Sequence, residues 1–248
     1  MDLGLTGKVA LVTGGSRTIG YNIARRLGME GAKVAICARG ERNLLGAVEK
    51  LRAEGVDAWG RVADVSDRQQ VRRLVSEVVE RFGGLGVLIN NPGGYIKPGP
   101  FSSVEPEDWR AGFEVNVLTV VSVTREALPH LKADDWGRVV NMGAFYLAPG
   151  VPHLMTEMAE NIVAKISVSA LTKVMSEELA PSVTVNCIAP GPVGTDHPMR
   201  EWCDGFPVPR PADPAELADL VAFLCSRQAG YLTGLTVPFD GGATRRVV

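Results

Sequence analysis

Cysteine and histidine are scarce in this 248-residue chain, and they are scattered. Cys37, Cys187, Cys203 and Cys225 form no CxxC pair, and the three histidines make no Cys/His cluster with zinc-ligand spacing. That pattern argues against a disulfide scaffold and a zinc site, and predicts reduced, mostly buried thiols in a cytoplasmic protein with no metal. Charge of one sign is lacking too: 26 Lys and Arg against 28 Asp and Glu leave a net charge of −2. Nothing in that balance draws the chain to nucleic acid or to an anionic membrane. No apolar run is long enough to span a bilayer. Met1-Asp2-Leu3-Gly4 has no basic region leading into an apolar stretch, so no secretory leader is expected. No Pro/Ser-rich linker, charge block or internal repeat divides the sequence, and one domain over 1–248 is expected.

What the chain does have is apolar substance, 46% hydrophobic residues, arranged in an alternating pattern. Short β-rich runs are predicted at Val9–Thr13, Lys33–Cys37, Trp59–Ala63, Val87–Ile89, Arg138–Asn141, Val183–Ile188 and Leu235–Val237. Helices are predicted over 20–29, 41–54 and about 67–82, and the apolar stretch Ile162–Met175 fits a further helix, at a subunit interface or in the core. Continuous apolar strands imply burial on both faces, and strand–helix alternation requires crossover connections. The predicted fold class is α/β: a single doubly wound parallel sheet of Rossmann type, with helices on both faces.

The first strand runs into Thr13-Gly14-Gly15-Ser16-Arg17-Thr18-Ile19-Gly20. A glycine-rich turn between strand and helix lets the backbone approach a pyrophosphate, and the helix N-terminus offers unpaired N–H groups to it. The run resembles the TGxxxGxG element of the short-chain dehydrogenase/reductase family. Further motifs follow in family order: Asp64 after the third strand; Asn90-Asn91-Pro92-Gly93, similar to NNAG; Asn116 in Glu114-Val115-Asn116-Val117; Pro190-Gly191; Thr233-Gly234; and Asp240-Gly241-Gly242. The resemblance covers nearly the whole chain. It implies a dinucleotide cofactor held by Gly14, Ser16, Arg17, Ile19, Arg39, Asp64, Asn91, Lys165, Pro190 and Gly191.

Thr18 stands where the family turn has its middle glycine. A β-branched residue there is expected at φ below zero, taking up space near the pyrophosphate and weakening cofactor binding. NAD-preferring folds carry an acid about 20 residues past the turn. Here the second strand ends Cys37-Ala38-Arg39. Arg39 and Arg17 can clamp a 2′-phosphate through charge-assisted bonds, so NADP(H) is expected over NAD(H). The alternative is two solvated surface arginines.

The family reduces a carbonyl with a Ser–Tyr–Lys–Asn group. In this register Asn116 is present, Lys165 is retained, Ala144 occupies the Ser position and Asn161 the Tyr position. Alanine has no hydroxyl, and an amide donates a hydrogen bond but cannot act as an acid near neutral pH. The usual mechanism therefore does not follow. Candidate substitutes lie in the longer segment between Ala144 and Asn161: Tyr146, His153, Glu157 and Glu160. For the last three the plainer reading is loop residues facing solvent or a neighbouring subunit. Tyr146, with Asn116 and Lys165, resembles the arrangement of the 2,4-dienoyl-CoA reductases, a branch that also lacks the usual Tyr; a packing or oligomer-interface role is the alternative.

Three readings remain open. One is an NADP(H)-dependent reductase of an activated or conjugated carbonyl, with a displaced acid. Another is a non-redox enzyme on the same scaffold: a dehydratase, lyase, isomerase or cyclase. The last is a non-catalytic binding protein. The expected partners are a small-molecule substrate and further copies of the chain, as a dimer or tetramer. The segment 195–211, with His197, Met199, Trp202 and Phe206, is expected to cover the substrate cleft.

Overall fold

The computed structural model describes residues 1–91, 93–94, 96–134, 136–144, 157–194 and 200–244, with Trp202 by its backbone alone. Seven parallel strands form one sheet in the order β3-β2-β1-β4-β5-β6-β7. They are β1 (Val9–Thr13), β2 (Lys33–Ala38), β3 (Ala58–Val62), β4 (Val87–Asn90), β5 (Gly137–Met142), β6 (Val183–Pro190) and β7 (Thr236–Phe239). All seven predicted strands are present, with ends shifted by one or two residues.

The apolar runs explain the central strands. Every residue of β1, β4 and β5 is buried, as a parallel sheet covered on both faces requires. Alternate side chains feed two cores. Ala10 and Val12 join Ile23, Leu27, Leu44, Leu51, Leu217 and Val221 on one face. Val9 and Leu11 join Leu74, Val78, Val123, Leu131 and Leu179 on the other. The first core packs α1 (Thr18–Met29), α2 (Glu41–Ala53) and α7 (Pro214–Leu224). The second packs α3 (Arg68–Phe82), α5 (Thr119–Ala133) and α6 (Ala159–Leu179).

Helix ends follow local chemistry. Asp67 caps α3 by accepting from the N–H groups of Gln69 at 2.8 Å and Gln70 at 3.2 Å, and Gly83 closes it at φ +85°. Asp213, Pro214 and Glu216 form a capping box at the start of α7. Between α4 (Pro106–Phe113) and α5 the chain widens into a π-type turn over Glu114–Leu118, and Asn116 sits in it. The stretch Ile162–Met175 lies within α6; Ile162, Ala164 and Val168 enter the core, while Val163 and Val174 stay exposed.

All four cysteines are buried thiols outside any disulfide. Burial pushes the Cys37 and Cys225 thiols up to about 12, which leaves them unreactive. Among the described residues no helix is long and apolar enough to cross a membrane.

Candidate functional site

Because every strand runs the same way, the ends of β1 to β7 lie along one edge of the sheet. At β1 the neighbouring connections diverge: β2 lies on one side and β4 on the other. Such a switch point opens a crevice above the strand ends.

The turn after β1 is built by close backbone approach. A β-carbon on Gly20 would lie 2.3 Å from the Gly14 carbonyl oxygen, and one on Gly15 would lie 2.7 Å from the Ile36 side chain. Gly14 itself adopts φ +62°. Those contacts admit only glycine at these points. The negative φ expected for Thr18 is not observed: it adopts φ +39°, in the left-handed region, as the one non-glycine residue with positive φ among those described. For a β-branched side chain this costs on the order of 1–3 kcal/mol. The tight Gly14–Gly20 packing imposes the conformation, and the Asn22 side-chain amide donates to the Thr18 carbonyl at 2.8 Å. Ile19 packs partly into the core, and Ser16 is half-buried.

Arg17 and Arg39 are both exposed, at the ends of β1 and β2. Neither forms an ion pair among the described residues. Asp64 accepts from the Ser66 N–H at 3.0 Å and the Ser66 hydroxyl at 2.7 Å. Those two bonds, and then the nearby Arg39 charge, hold its carboxyl below the usual carboxylate range. Asn91 donates its backbone N–H to the Thr13 hydroxyl at 2.9 Å and its side-chain amide to the Gly14 carbonyl at 3.4 Å. Gly191 donates its N–H to the Phe239 carbonyl at 2.9 Å, and Pro190 ends β6 beside it.

The residues expected at the family's catalytic positions are buried. Asn116 is 0% exposed, Asn161 3% and Lys165 8%. Asn116 and Asn161 both donate their side-chain N–H groups to a single acceptor, the Gly94 carbonyl oxygen, at 3.1 and 3.0 Å. Asn116 donates also to the Gly112 carbonyl at 3.0 Å, while its own Oδ1 is buried without a partner. Lys165, one turn beyond Asn161 on α6, donates to the Met142 carbonyl at 3.2 Å. Burial lowers its ammonium from 10.5 to about 8. Ala144 is half-buried just past β5.

Glu160 departs from its expected place. It is neither in a loop nor facing solvent: it lies on α6 and is 1% exposed. Its Oε1 accepts the Ile96 N–H at 2.9 Å, and its Oε2 is buried without a partner. Gly112 on α4 makes the room, since a β-carbon there would lie 2.1 Å from Oε2. Glu157 is exposed. Tyr146, His153, His197 and Met199, and the Trp202 side chain, lie outside the described residues. The described part of the expected substrate loop, 200–211, packs on the turn after β7. There Val208 donates its N–H to the Gly241 carbonyl at 2.9 Å. Pro192, Phe206, Val208, Arg210, Phe239 and Asp240 bound a cavity of about 290 Å³ beside it.

The site residues missing from the sequence reading are Gly94, through its carbonyl, and Gly112, which makes room for Glu160. A glycine inside the Trp109–Phe113 helical turn was the one signal available for the latter.

A doubly wound parallel sheet with a glycine-built turn at its switch point defines the class of dinucleotide-fold proteins. The family model for short chain dehydrogenases matches residues 8–203. The chain is 33% identical over 258 residues to human dehydrogenase/reductase SDR family member 4, covering 98% of this chain and 90% of that protein. A short-chain dehydrogenase/reductase from Serratia marcescens superposes with a TM-score of 0.89 at 33% identity, over 97% of this chain and 99% of that one. An NADPH-bound short chain oxidoreductase from Pseudomonas aeruginosa, described as containing an atypical catalytic center, superposes with a TM-score of 0.88 at 29% identity, over 97% and 98%. The chain belongs to the short-chain dehydrogenase/reductase family of oxidoreductases.

Two predictions follow from the buried polar groups. Gly112→Ala should destabilise the fold by roughly 1–3 kcal/mol, as overpacking does, and Glu160→Ala in the same chain should recover most of that loss. Denaturant melts of the single and double variants measure it, and simple additivity would refute the contact. Lys165 sets a pH signature. Between pH 8 and 10.5 the folded chain has released a proton that the unfolded Lys165 keeps, so stability from this group rises across that window. Melting curves of wild type and Lys165→Met should differ by an amount that shifts in favour of wild type from pH 8 to 10.5; a constant difference would show ordinary titration.

Proposed function

We propose that the chain is an NADP(H)-dependent reductase of an activated or conjugated carbonyl compound, working with an acid displaced from the usual tyrosine position. The observation that carries the cofactor reading is the acid-free end of β2, where Arg39 stands and is uncommitted, with Arg17 equally free on the adjoining turn. Two guanidinium groups without carboxylate partners suit a 2′-phosphate, whereas an acid there would repel it. The glycine cradle fits the rest of the group. Gly14, Gly15 and Gly20 let the turn close tightly on Asn91, Ile36 and its own backbone, and the N-cap of α1, Arg17, makes no side-chain capping bond. The first N–H groups of α1 are thus left for an anion. Thr18 adds a side chain where the family turn has glycine. NADPH, when bound, supplies hydride.

The chain's own residues then have to hold the substrate oxygen and deliver a proton. Asn161 cannot deliver one, and its N–H is engaged by the Gly94 carbonyl. Asn116 is a buried donor at the same carbonyl. Lys165, with its ammonium lowered to about 8, is a cation near the end of β5 that orients the cofactor ribose or shares a proton near neutral pH. Tyr146 is the proposed proton donor to the oxygen, which accounts for the loss of Ser and Tyr at their usual places. Hydride delivery to the far end of a conjugated system leaves an enolate, and a neutral donor beside a cation is the chemistry such an oxygen needs. The NADPH-bound short chain oxidoreductase with an atypical catalytic center supports a redox role for this chain as well.

A second reading, non-redox acid–base chemistry, is favoured by the buried carboxyl of Glu160 with its unpartnered Oε2. It differs in one respect: turnover would need no added cofactor. Titration by intrinsic fluorescence tests the first reading. NADPH should bind at least about tenfold more tightly than NADH, and Arg39→Ala should erase the preference while leaving NADH affinity unchanged. Equal affinities in wild type would sink the arginine clamp.

A further inference from the structure

Thr18 is the one non-glycine residue with positive φ among those described, it stands where the family turn has glycine, and its side chain has a definite orientation. A β-carbon placed on Gly194 would lie 3.9 Å from the Thr18 Cγ2 methyl. The methyl therefore faces the loop that leaves β6, across the mouth of the crevice. Gly194 on that loop has φ +115° and is fixed by its N–H bond to the Ala212 carbonyl at 2.9 Å. The two lips are complementary: the side chain stands on the turn, and the facing residue has none. The Thr18 hydroxyl occupies the other branch of the β-carbon. It has no partner among the described residues, and the residue as a whole is exposed. It also stands at the first position of the twelve-residue helix α1, whose N-cap Arg17 supplies no side-chain bond.

We propose that the Thr18 hydroxyl is a ligand for the pyrophosphate of the bound dinucleotide, while its methyl closes the mouth of the crevice against Gly194. This deepens the cofactor reading above and rests on it. A glycine offers only backbone at this point; threonine adds a donor that rotates to meet a phosphate oxygen. Strain retained at such a position is consistent with use of the side chain. The substitution is then an exchange of contacts and not a loss of the site.

Four proteins decide it: wild type, Thr18→Ser, Thr18→Val and Thr18→Gly, each titrated with NADPH and each melted without it. Valine keeps the shape and the strain but removes the hydroxyl, so its affinity should fall about tenfold or more, the range for a hydrogen bond to a charged group. Serine should bind within about threefold of wild type, since it keeps the donor. Glycine relieves the backbone, so it should melt higher by roughly 2–6 °C yet bind no more tightly than wild type. Wild-type affinity in Thr18→Val, or binding by Thr18→Gly more than about tenfold tighter, overturns the proposal and makes Thr18 an obstruction. If wild type binds nothing and Thr18→Gly binds NADPH, Thr18 is a plug, and the cofactor reading survives only for the variant. If all four, folded by their melts, bind nothing, the cofactor reading fails and this inference falls with it.

Discussion

One buried hydroxyl determines where the two halves of the sheet part. Thr13 at the end of β1 donates to the Ile89 carbonyl at 3.3 Å and accepts the Asn91 N–H at 2.9 Å. That double bond sets the height at which β1 and β4 end relative to each other, and both connections start from it. On one side the chain enters the Gly14 turn; on the other it passes Asn91 toward Gly94. The order is relayed across the sheet by a second buried chain. Asn90 donates to Asn141 at 2.9 Å, and Asn141 donates to Thr172 on α6 at 2.9 Å. All four side chains are buried, so each of these groups needs its partner and few alternatives are tolerated. The placement of α6, and with it Asn161 and Lys165, is coupled to the ends of β4 and β5.

Asn161, expected from the motif register at the family's tyrosine position, supplies an amide that ties down a loop carbonyl. Asn116 joins it on the same oxygen, and Glu160 secures the loop two residues further along through the Ile96 N–H. Three side chains thus hold Gly94 and Ile96 against the π-type turn and α6. Gly112 and Glu160 are matched: the absent β-carbon of one is the space occupied by the carboxyl of the other. Lys165 is retained in its buried place against β5, with a proton less firmly held than in water.

The fold was legible because parallel strands carry a plain signal. Val9–Thr13, Val87–Ile89 and Val183–Ile188 are short, apolar and bounded by turn residues, and their alternation with helices leaves few topologies. The start of α7 was legible in the Asp213-Pro214-Ala215-Glu216 pattern, although the reading passed over it. Gly14, Arg39, Asp64, Asn91, Gly191 and Asp240 fall along one sheet edge because each follows the end of a strand. Two expectations failed for the same reason. Thr18 was judged by the preference of an isolated β-branched residue, but the Gly14–Gly20 approach fixes its backbone. Glu160 was judged by its polarity, but a glycine far away in sequence gives it a buried seat. Both outcomes are decided by contacts between distant segments, which no local pattern carries. The Asn116–Asn161 convergence is of this kind as well, since its meeting point is a backbone carbonyl.

The most direct test of the account is hydride transfer itself. Purified protein with NADPH, presented with a panel of conjugated enones and enoyl thioesters, should consume the reduced nicotinamide with at least one of them. Tyr146→Phe should lower that rate by about a hundredfold or more, the range for loss of a general acid, while leaving NADPH affinity unchanged. Turnover that proceeds in cofactor-free protein, or a Tyr146→Phe variant as fast as wild type, would contradict it.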